Sequence, residues 1–273
     1  MAGLVSRLRG IIPKTRLAHY APGAAGLCPP PPAIRPENQA CCRTGDRGKL
    51  VADPAPPTLA SAVAATMSRT LHIHPKDPEK RLIEQTVAVL RGGGVIVYPT
   101  DSCYAFGCRV GEKEAQERIR RIRRLDEDHN FTLVCRDLSQ LATYARVDNP
   151  AFRLMKSLTP GPYTFLLKAT HEVPRRLQNP KRKTIGLRVP DHRIVQALLD
   201  ALGEPLMSTT AQLPDSEMPM NDPEEVEARL SKLVDLIIDG GNTGLEPSSV
   251  VDISEGAPRV VRVGAGDVSA LGE

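Results

Sequence analysis

The stretch VIVYPTDS, at residues 95–102, decides the fold class of this 273-residue chain. Its first four residues are apolar and three of them are β-branched, which predicts a short buried strand. Three glycines at 92–94 separate that strand from the helical pattern before it, and the polar residues PTDS leave it as a loop. Because ligands of open α/β sheets bind at the carboxyl ends of strands, this loop is the first candidate for a binding segment.

Helical and strand patterns alternate on both sides of this stretch. Upstream, Asp77-Pro78 predicts the start of a helix because it supplies a capping side chain followed by proline, and apolar residues then recur at helical spacing up to Leu90. Downstream, helices are predicted over 113–124, 137–145, 149–158, 191–202 and 222–232. Strands are predicted over 131–134, 163–167, 185–189, 206–209, 234–238, 249–253 and 259–263.

The last two predicted strands follow each other without an intervening helix, which favours antiparallel pairing. Most of the other strands alternate with helices, which favours parallel pairing. The sequence therefore predicts an α/β fold with one core, in which a mixed sheet of parallel and antiparallel strands is flanked by helices.

Composition places the chain among ordinary globular proteins. Charged residues make up 25% and apolar residues 41% of its 29.6 kDa, which excludes collagen-like, fibrous and wholly disordered classes. No apolar run approaches the roughly 20 residues that a membrane helix needs. The net charge of +4 is unevenly spread, because residues 1–66 hold eight Lys and Arg against three Asp and Glu, which leaves −1 for the rest.

The segment 1–66 also holds ten of the 25 prolines and shows no sustained periodicity, so we predict a disordered Pro/Ala-rich basic extension. Three interpretations of it stay open. It resembles an organellar transit peptide, because its first acidic residue is Glu37. It could also be a solvated tail. The third interpretation, which we favour, is that Met67 is the native start, so that residues 67–273 form the single folded domain.

Six cysteines, at positions 28, 41, 42, 103, 108 and 135, include no Cys-x-x-Cys pair and no histidine at metal-ligand spacing. Those of the body lie in or beside apolar runs, which indicates buried free thiols and favours a cytoplasmic protein. Dinucleotide-binding, P-loop, nucleophile-elbow and zinc-protease motifs are absent from the sequence. The sequence therefore assigns no catalytic residue and no metal site.

Hydroxyl and guanidinium groups recur instead at the ends of the predicted strands, where they would suit an anionic ligand. They belong to Thr100, Thr184, Arg188, Ser208, Thr209, Thr210, Ser248, Ser249 and Arg262. On spacing alone, threonines and serines at strand ends are more often turn residues, which is the favoured interpretation at this point. A second basic group, Arg118, Arg120, Arg121, Arg123 and Arg124, ends the predicted helix 113–124. This arginine group is interpreted either as a solvated helix face or, together with the basic residues at 175–183, as a phosphate-binding stripe.

A family resemblance brings these residues together. The run VYPTDSCYAFG at 97–107 resembles the strand and loop YPTETVYGLG of the YrdC/Sua/YciO family of threonylcarbamoyl-AMP synthases and their relatives. Further matches follow in family order: PGP at 160–162, GLRVPDH at 186–192, STTA at 208–211, DGG at 239–241 and SSVVD at 248–252. Three further segments are most similar in sequence to the YciO branch: HIHP at 72–75, CRDL at 135–138 and RRL at 175–177.

The resemblance implies a twisted mixed sheet around a concave basic cleft. It also implies a nucleotidyltransferase reaction in which L-threonine, bicarbonate and Mg·ATP give threonylcarbamoyl-adenylate and pyrophosphate, for modification of tRNA adenosine 37. ATP with Mg²⁺ enters as substrate, and no permanently bound cofactor is expected. By position, the residues that would face threonine are Thr100, Arg188, Thr210 and Ser248. Those that would face the nucleotide are Arg123, Thr184, Gln212 and Arg262.

Four positions depart from the family pattern. Where the synthases carry Lys-x-Arg and Ser-x-Asn, this chain has Arg123 with Leu125 and Thr210 with Gln212. Leu125 cannot neutralise phosphate charge, so weak or altered synthase activity is expected. The alternative is a non-catalytic paralogue that binds nucleotide, double-stranded RNA or tRNA. Its expected RNA contacts are Arg118, Arg120, Arg121 and Arg124.

Overall fold

A computed structural model describes residues 68–271 of the chain, except 127, 128 and 180. The strands are β1 (Arg69–His72), β2 (Ile96–Tyr98), β3 (Ala105–Arg109), β4 (Thr132–Val134), β5 (Tyr163–Lys168), β6 (Thr184–Arg188), β7 (Leu206–Thr210), β8 (Leu236–Asp239), β9 (Ser249–Asp252) and β10 (Arg259–Arg262). The helices are α1 (Lys80–Arg91), α2 (Lys113–Arg123), α3 (Leu138–Tyr144), α4 (Asn149–Leu158), α5 (Arg193–Leu202) and α6 (Pro223–Leu230).

The described strands form one mixed sheet in the order β1-β8-β2-β3-β7-β4-β6-β5-β9-β10. Parallel pairs join β1 with β8, β2 with β8, β4 with β6, and β5 with β9. The other neighbours are antiparallel, including β9 with β10. The predictions of an α/β fold, a mixed sheet and an antiparallel closing pair are therefore confirmed.

The two faces of this sheet are covered differently. Apolar residues of α2, α3, α4 and α6 pack on one face, around side chains such as Phe106, Phe165 and Leu187. On the opposite face, α1 and α5 cover β1, β8 and β2 and reach β3 and the start of β7. This second layer leaves room for a cavity over the central strands, which is where polar residues of the sheet gather.

Three of the six described α-helices, α3, α4 and α6, start at an aspartate whose side chain caps the helix. Asp148 caps α4 by accepting from the Ala151 amide at 2.8 Å, and Asp222 caps α6 by accepting from the Glu224 amide at 2.9 Å. The prediction of Asp77 as the cap of α1 was wrong, because the residue at the cap position is Glu79, two residues later. Helix α1 starts at Lys80 after Glu79, whose carboxylate accepts from the His74 amide instead.

Two strands were missed by the sequence patterns, namely β1 and β3. The predicted extension 1–66 lies outside the described residues, and its interpretations and the domain boundary at Met67 stay predictions. Cys103, Cys108 and Cys135 are buried free thiols, as predicted. Over the described part of the chain, no helix is both long and apolar enough to cross a membrane.

Candidate functional site

A cavity of about 250 Å³ lies over the central strands. Its floor consists of alternate residues of β4, β5, β6, β7 and β9, because successive side chains of a strand point to opposite faces. The residues between them belong to the apolar core on the other side, except Thr209, which also lines the cavity. The floor is formed by small hydroxyl side chains and a few aliphatic ones: Thr132, Val134, Thr164, Leu166, Ser208, Thr210 and Val250.

Arg188, at the end of β6, is the most enclosed charged group of the cavity, with 8% of its surface exposed. Its guanidinium donates to an Asp101 carboxylate oxygen and, at 2.9 Å, to the Ser102 hydroxyl. The other Asp101 oxygen accepts from the Asp191 amide at 3.0 Å. The Arg188 Nε is buried and makes no hydrogen bond within the described part of the chain.

The loop that bears Asp101 is shaped by Thr100. The Thr100 hydroxyl donates to the Cys103 carbonyl at 2.7 Å and accepts from the amides of Ser102 and Cys103. A turn closed by a side-chain hydroxyl explains why this loop carries short polar residues. The loop thereby presents Asp101 and Ser102 to Arg188 in a fixed arrangement.

A second guanidinium, that of Arg262 in β10, reaches the cavity beside β9. Its Nε and Nη2 donate to the Ser248 carbonyl at 3.2 and 2.7 Å. The Ser248 hydroxyl lies 2.8 Å from the Thr164 hydroxyl on the floor. Burial lowers the pKa of Arg262, and Arg188 adds to the effect, although an arginine stays charged at neutral pH.

The third guanidinium belongs to Arg123, the last residue of α2. It donates to the Gln212 carbonyl at 3.0 Å and to the Thr209 hydroxyl at 2.5 Å. The same hydroxyl lies 3.4 Å from Nε2 of His129. Burial lowers the pKa of Arg123. Gln212 holds the following loop, since its amide nitrogen donates to the carbonyls of Ser216 and Glu217.

The electrostatics of the cavity favour an anion. Arg123, Arg188 and Arg262 all line it, whereas no Asp or Glu does among the described residues. Asp101 lies behind Arg188 and is its ion-pair partner. Three guanidinium groups with one paired carboxylate leave an excess positive charge in a partly dehydrated space, where charge interactions are stronger than in water.

Seven of the eight ligand residues predicted from the sequence line this cavity: Thr100, Arg123, Arg188, Thr210, Gln212, Ser248 and Arg262. Thr184 does not. It begins β6, pairs with Lys168, and lies four residues from Arg188, a strand length of about 13 Å. The structure therefore places Thr184 outside the cavity, although Arg188 on the same strand lines it.

The predicted RNA contacts lie outside the cavity, in two environments. Arg118 forms a two-point ion pair with Asp235 at 2.8 and 2.9 Å, and Arg120 stacks on Phe131 with its guanidinium carbon 5.4 Å from the ring centre. Arg121 and Arg124 are exposed. The four predicted RNA contacts are thus divided, because Arg118 and Arg120 hold α2 to its neighbours.

Sequence reasoning missed His129 and Asn130, which also line the cavity. The polar stretch between α2 and β4 carries no pattern of its own, and the spacing of His129 from Arg123 does not predict their approach. One signal was available: a histidine just before a buried strand, in a segment that ends a basic helix.

The donor set does not favour a resident metal ion. Within the described residues, no three His, Cys, Asp or Glu side chains are grouped as ligands would be.

Comparisons with known proteins agree with the fold. The family model for Sua5, YciO and YrdC proteins, described as "Telomere recombination", matches residues 88–264. The chain is 61% identical over 202 residues to the protein YciO of Escherichia coli (strain K12). The matched residues are 74% of this chain and 98% of YciO. The crystal structure of E. coli YciO superposes with a TM-score of 0.73, covering 75% of this chain and all of that one.

More distant relatives have named activities or ligands. The threonylcarbamoyl-AMP synthase of Stenotrophomonas maltophilia (strain K279a) is 32% identical over 178 residues, which are 64% of this chain and 95% of the synthase. Sua5 of P. abyssi, crystallised with L-threonine, shares the fold at 24% identity and a TM-score of 0.67, over 72% of this chain and 58% of that one.

Proposed function

The chain belongs to the Sua5/YciO/YrdC family, and from this premise we propose that it binds ATP and L-threonine in the cavity as a threonylcarbamoyl-AMP synthase-like protein with weak or altered activity. The reaction would join threonine, bicarbonate and Mg·ATP into threonylcarbamoyl-adenylate, with release of pyrophosphate and water. The adenylate would serve the modification of tRNA adenosine 37. We also keep the cytoplasmic location as part of this proposal.

One observation carries the proposal: three guanidiniums converge on a cavity that no described Asp or Glu lines. Both proposed substrates bring anionic groups, a carboxylate on threonine and a triphosphate on ATP. The Arg188 guanidinium lines the cavity and suits the carboxylate of threonine, and it lies beside the Ser102 hydroxyl. Arg123 and Arg262 flank the remaining space and suit phosphate oxygens.

The family substitutions explain why we propose weak activity. At the two positions where the synthases carry lysine and arginine, this chain has Arg123 and Leu125. It therefore has one cation there instead of two. Gln212 uses its side-chain amide on the loop carbonyls of Ser216 and Glu217, so that this nitrogen is already bonded. A missing preorganised charge contact typically costs about 10²–10³ in rate.

The decisive experiment incubates the full-length protein with ATP, L-threonine and labelled bicarbonate, and measures labelled adenylate and pyrophosphate. We expect slow product formation, abolished in Arg188→Ala. Arg193→Ala is the matched control, because Arg193 is an exposed arginine that bonds the Lys76 carbonyl outside the cavity. No product at high enzyme concentration would reject the synthase proposal.

A gain-of-function variant tests the reason for weakness. Leu125→Arg restores the second family cation beside Arg123, and we expect a rate increase of about tenfold or more. The half-exposed position of Leu125 gives the new side chain access to water, so that the fold should tolerate it. An unchanged rate would show that the missing cation does not limit the reaction.

RNA binding remains the second candidate, and the exposure of Arg121 and Arg124 is the observation that favours it. If these residues contact phosphates of double-stranded RNA or tRNA, affinity should fall steeply with salt and should drop in Arg121→Ala/Arg124→Ala. Binding that neither salt nor these substitutions change would reject this candidate. Because both residues lie outside the cavity, the same variant should keep adenylate synthesis.

A further inference from the structure

His129 and Arg123 meet at one hydroxyl. Arg123 donates to the Thr209 hydroxyl oxygen at 2.5 Å, and His129 Nε2 lies 3.4 Å from the same atom. All three side chains line the cavity. The histidine contact is longer than an ordinary hydrogen bond, so an incoming acceptor could replace it at little cost.

The imidazole is held in place by its ring contacts. His129 lies edge-on to Phe131, with ring centres 5.9 Å apart and planes at 90°. Phe131 is buried in the core, and Arg120 lies over its ring. The ring of His129 is therefore supported from the core side, while its Nε2 points toward the Thr209 hydroxyl and the cavity.

Among the described residues, the charged groups around His129 are mostly cationic. Burial lowers the pKa of His129, with further lowering from Arg123 and Arg120 and an opposing effect from Asp126. The two arginines come from α2, and Asp126 from the segment after it. β4 contributes the uncharged Phe131, and β7 contributes the uncharged Thr209. A dianion placed here would meet one permanent cation and one imidazole able to accept a proton.

We propose that His129, together with Arg123 and Thr209, contacts a phosphate group of the ligand and takes up a proton when that group binds. This inference deepens the proposed function and rests on it for the identity of the nucleotide. It adds a specificity-determining residue beside Arg123, which the sequence did not indicate.

Phosphate fits these three donors better than a carboxylate does. A phosphate offers three acceptor oxygens, whereas a carboxylate offers two. Arg123, the imidazolium of His129 and the Thr209 hydroxyl supply three donors from two sides of the bound group. The second ionisation of a phosphate group lies near pH 6, so the phosphate and an ordinary histidine change charge in the same pH range.

Titration calorimetry of the full-length protein with inorganic pyrophosphate, and separately with ATP, tests the inference. Measurements in two buffers of different ionisation enthalpy give the number of protons taken up on binding. We expect His129→Gln to weaken both ligands about tenfold and to abolish the proton uptake. Thr209→Val, which removes the shared hydroxyl at similar volume, should weaken binding while proton uptake persists.

His171→Gln is the matched control, because His171 is an exposed histidine whose Nε2 pairs with Glu172 at 2.8 Å away from the cavity. Its affinity and proton uptake should equal those of the wild type. Melting curves of each variant confirm that the folded protein is compared. If folded His129→Gln binds pyrophosphate as the wild type does, or takes up the same number of protons, the inference is overturned.

The two proposals fail in different ways. His129-dependent binding of pyrophosphate without binding of ATP would support the phosphate contact and reject the proposed nucleotide. Binding of ATP and threonine that is indifferent to His129→Gln would keep the proposed function and overturn the contact. Failure of the wild type to bind either phosphate ligand at millimolar concentration would overturn both.

Discussion

Two neighbouring residues of β5 show how one sheet serves two purposes. Phe165 is fully buried in the core beneath α2, α3 and α4, and Thr164 lies on the opposite face, where it forms the cavity floor and bonds the Ser248 hydroxyl at 2.8 Å. The same alternation holds in β6, where Leu187 is a core residue and Arg188 a cavity residue.

The difference teaches that alternate residues of one strand serve stability and binding, because they lie on opposite faces of the sheet. Apolar residues at one parity hold the strands to the helices, which leaves the other parity open to small hydroxyls, glycine and arginine. Gly186 lies on the same face of the sheet as Thr132, since a Cβ there would come within 3.1 Å of the Thr132 hydroxyl. A substitution on each face should therefore have its own signature.

The largest effect is expected on the core face. Phe165→Ala removes a fully buried ring that stacks on Tyr163 at 6.3 Å between ring centres, and should lower the free energy of unfolding by about 4 kcal/mol. Urea unfolding measures this loss. A loss below about 1 kcal/mol would contradict the assignment of this face as the one that carries the stability.

A charge of the cavity face should have the next largest effect. Asp101→Asn leaves the buried Arg188 without its carboxylate partner, and should cost about 2 kcal/mol of unfolding free energy. Asp215→Asn is the control, because Asp215 pairs with Arg229 in an exposed position where an ion pair contributes little. Equal losses in both variants would show that enclosure of the Asp101 pair has no energetic consequence.

An uncharged residue of the cavity face should matter least for folding. Thr164→Val keeps the side-chain volume and removes one hydroxyl that bonds Ser248, so a loss of about 1 kcal/mol is expected. Unfolding in urea alongside Phe165→Ala compares adjacent positions of one strand directly. A loss as large as that of Phe165→Ala would break the distinction between the two faces.

Much of the fold could be predicted because the patterns were strong. Most helices and strands lie within two residues of their predicted bounds, since amphipathic spacing and caps such as Asp148 and Asp222 are local signals. Strand β3 gave no such signal. Its Gly107 weakens the strand pattern, yet packing requires it, because a Cβ there would lie 2.8 Å from both Leu206 and Tyr98.

The candidate site was predicted through ordered motifs rather than through spacing. Those motifs placed Arg188 and Ser248 correctly on the cavity, since each motif sits at a strand end that faces it. They could not show that Thr184 lies at the far end of β6. They also could not show His129 beside Arg123, because that approach arises only when α2 and β7 pack around Phe131.

The pH dependence of stability gives the finest comparison between the cavity and the surface. Burial, followed by Arg123 and Arg120, lowers the pKa of His129, so between that lowered value and about 6.5 the unfolded chain binds more protons than the folded one. The stability associated with neutral His129 is therefore complete above this window and is lost as the pH falls through it. In His129→Gln that loss should shrink by a few tenths of a kcal/mol, since the ring is partly exposed and its charge screened. His171→Gln, with its exposed ring, should follow the wild type in urea unfolding from about pH 7.5 to 5. Wild-type and His129→Gln curves that stay parallel over this range would show that the cavity does not hold His129 neutral.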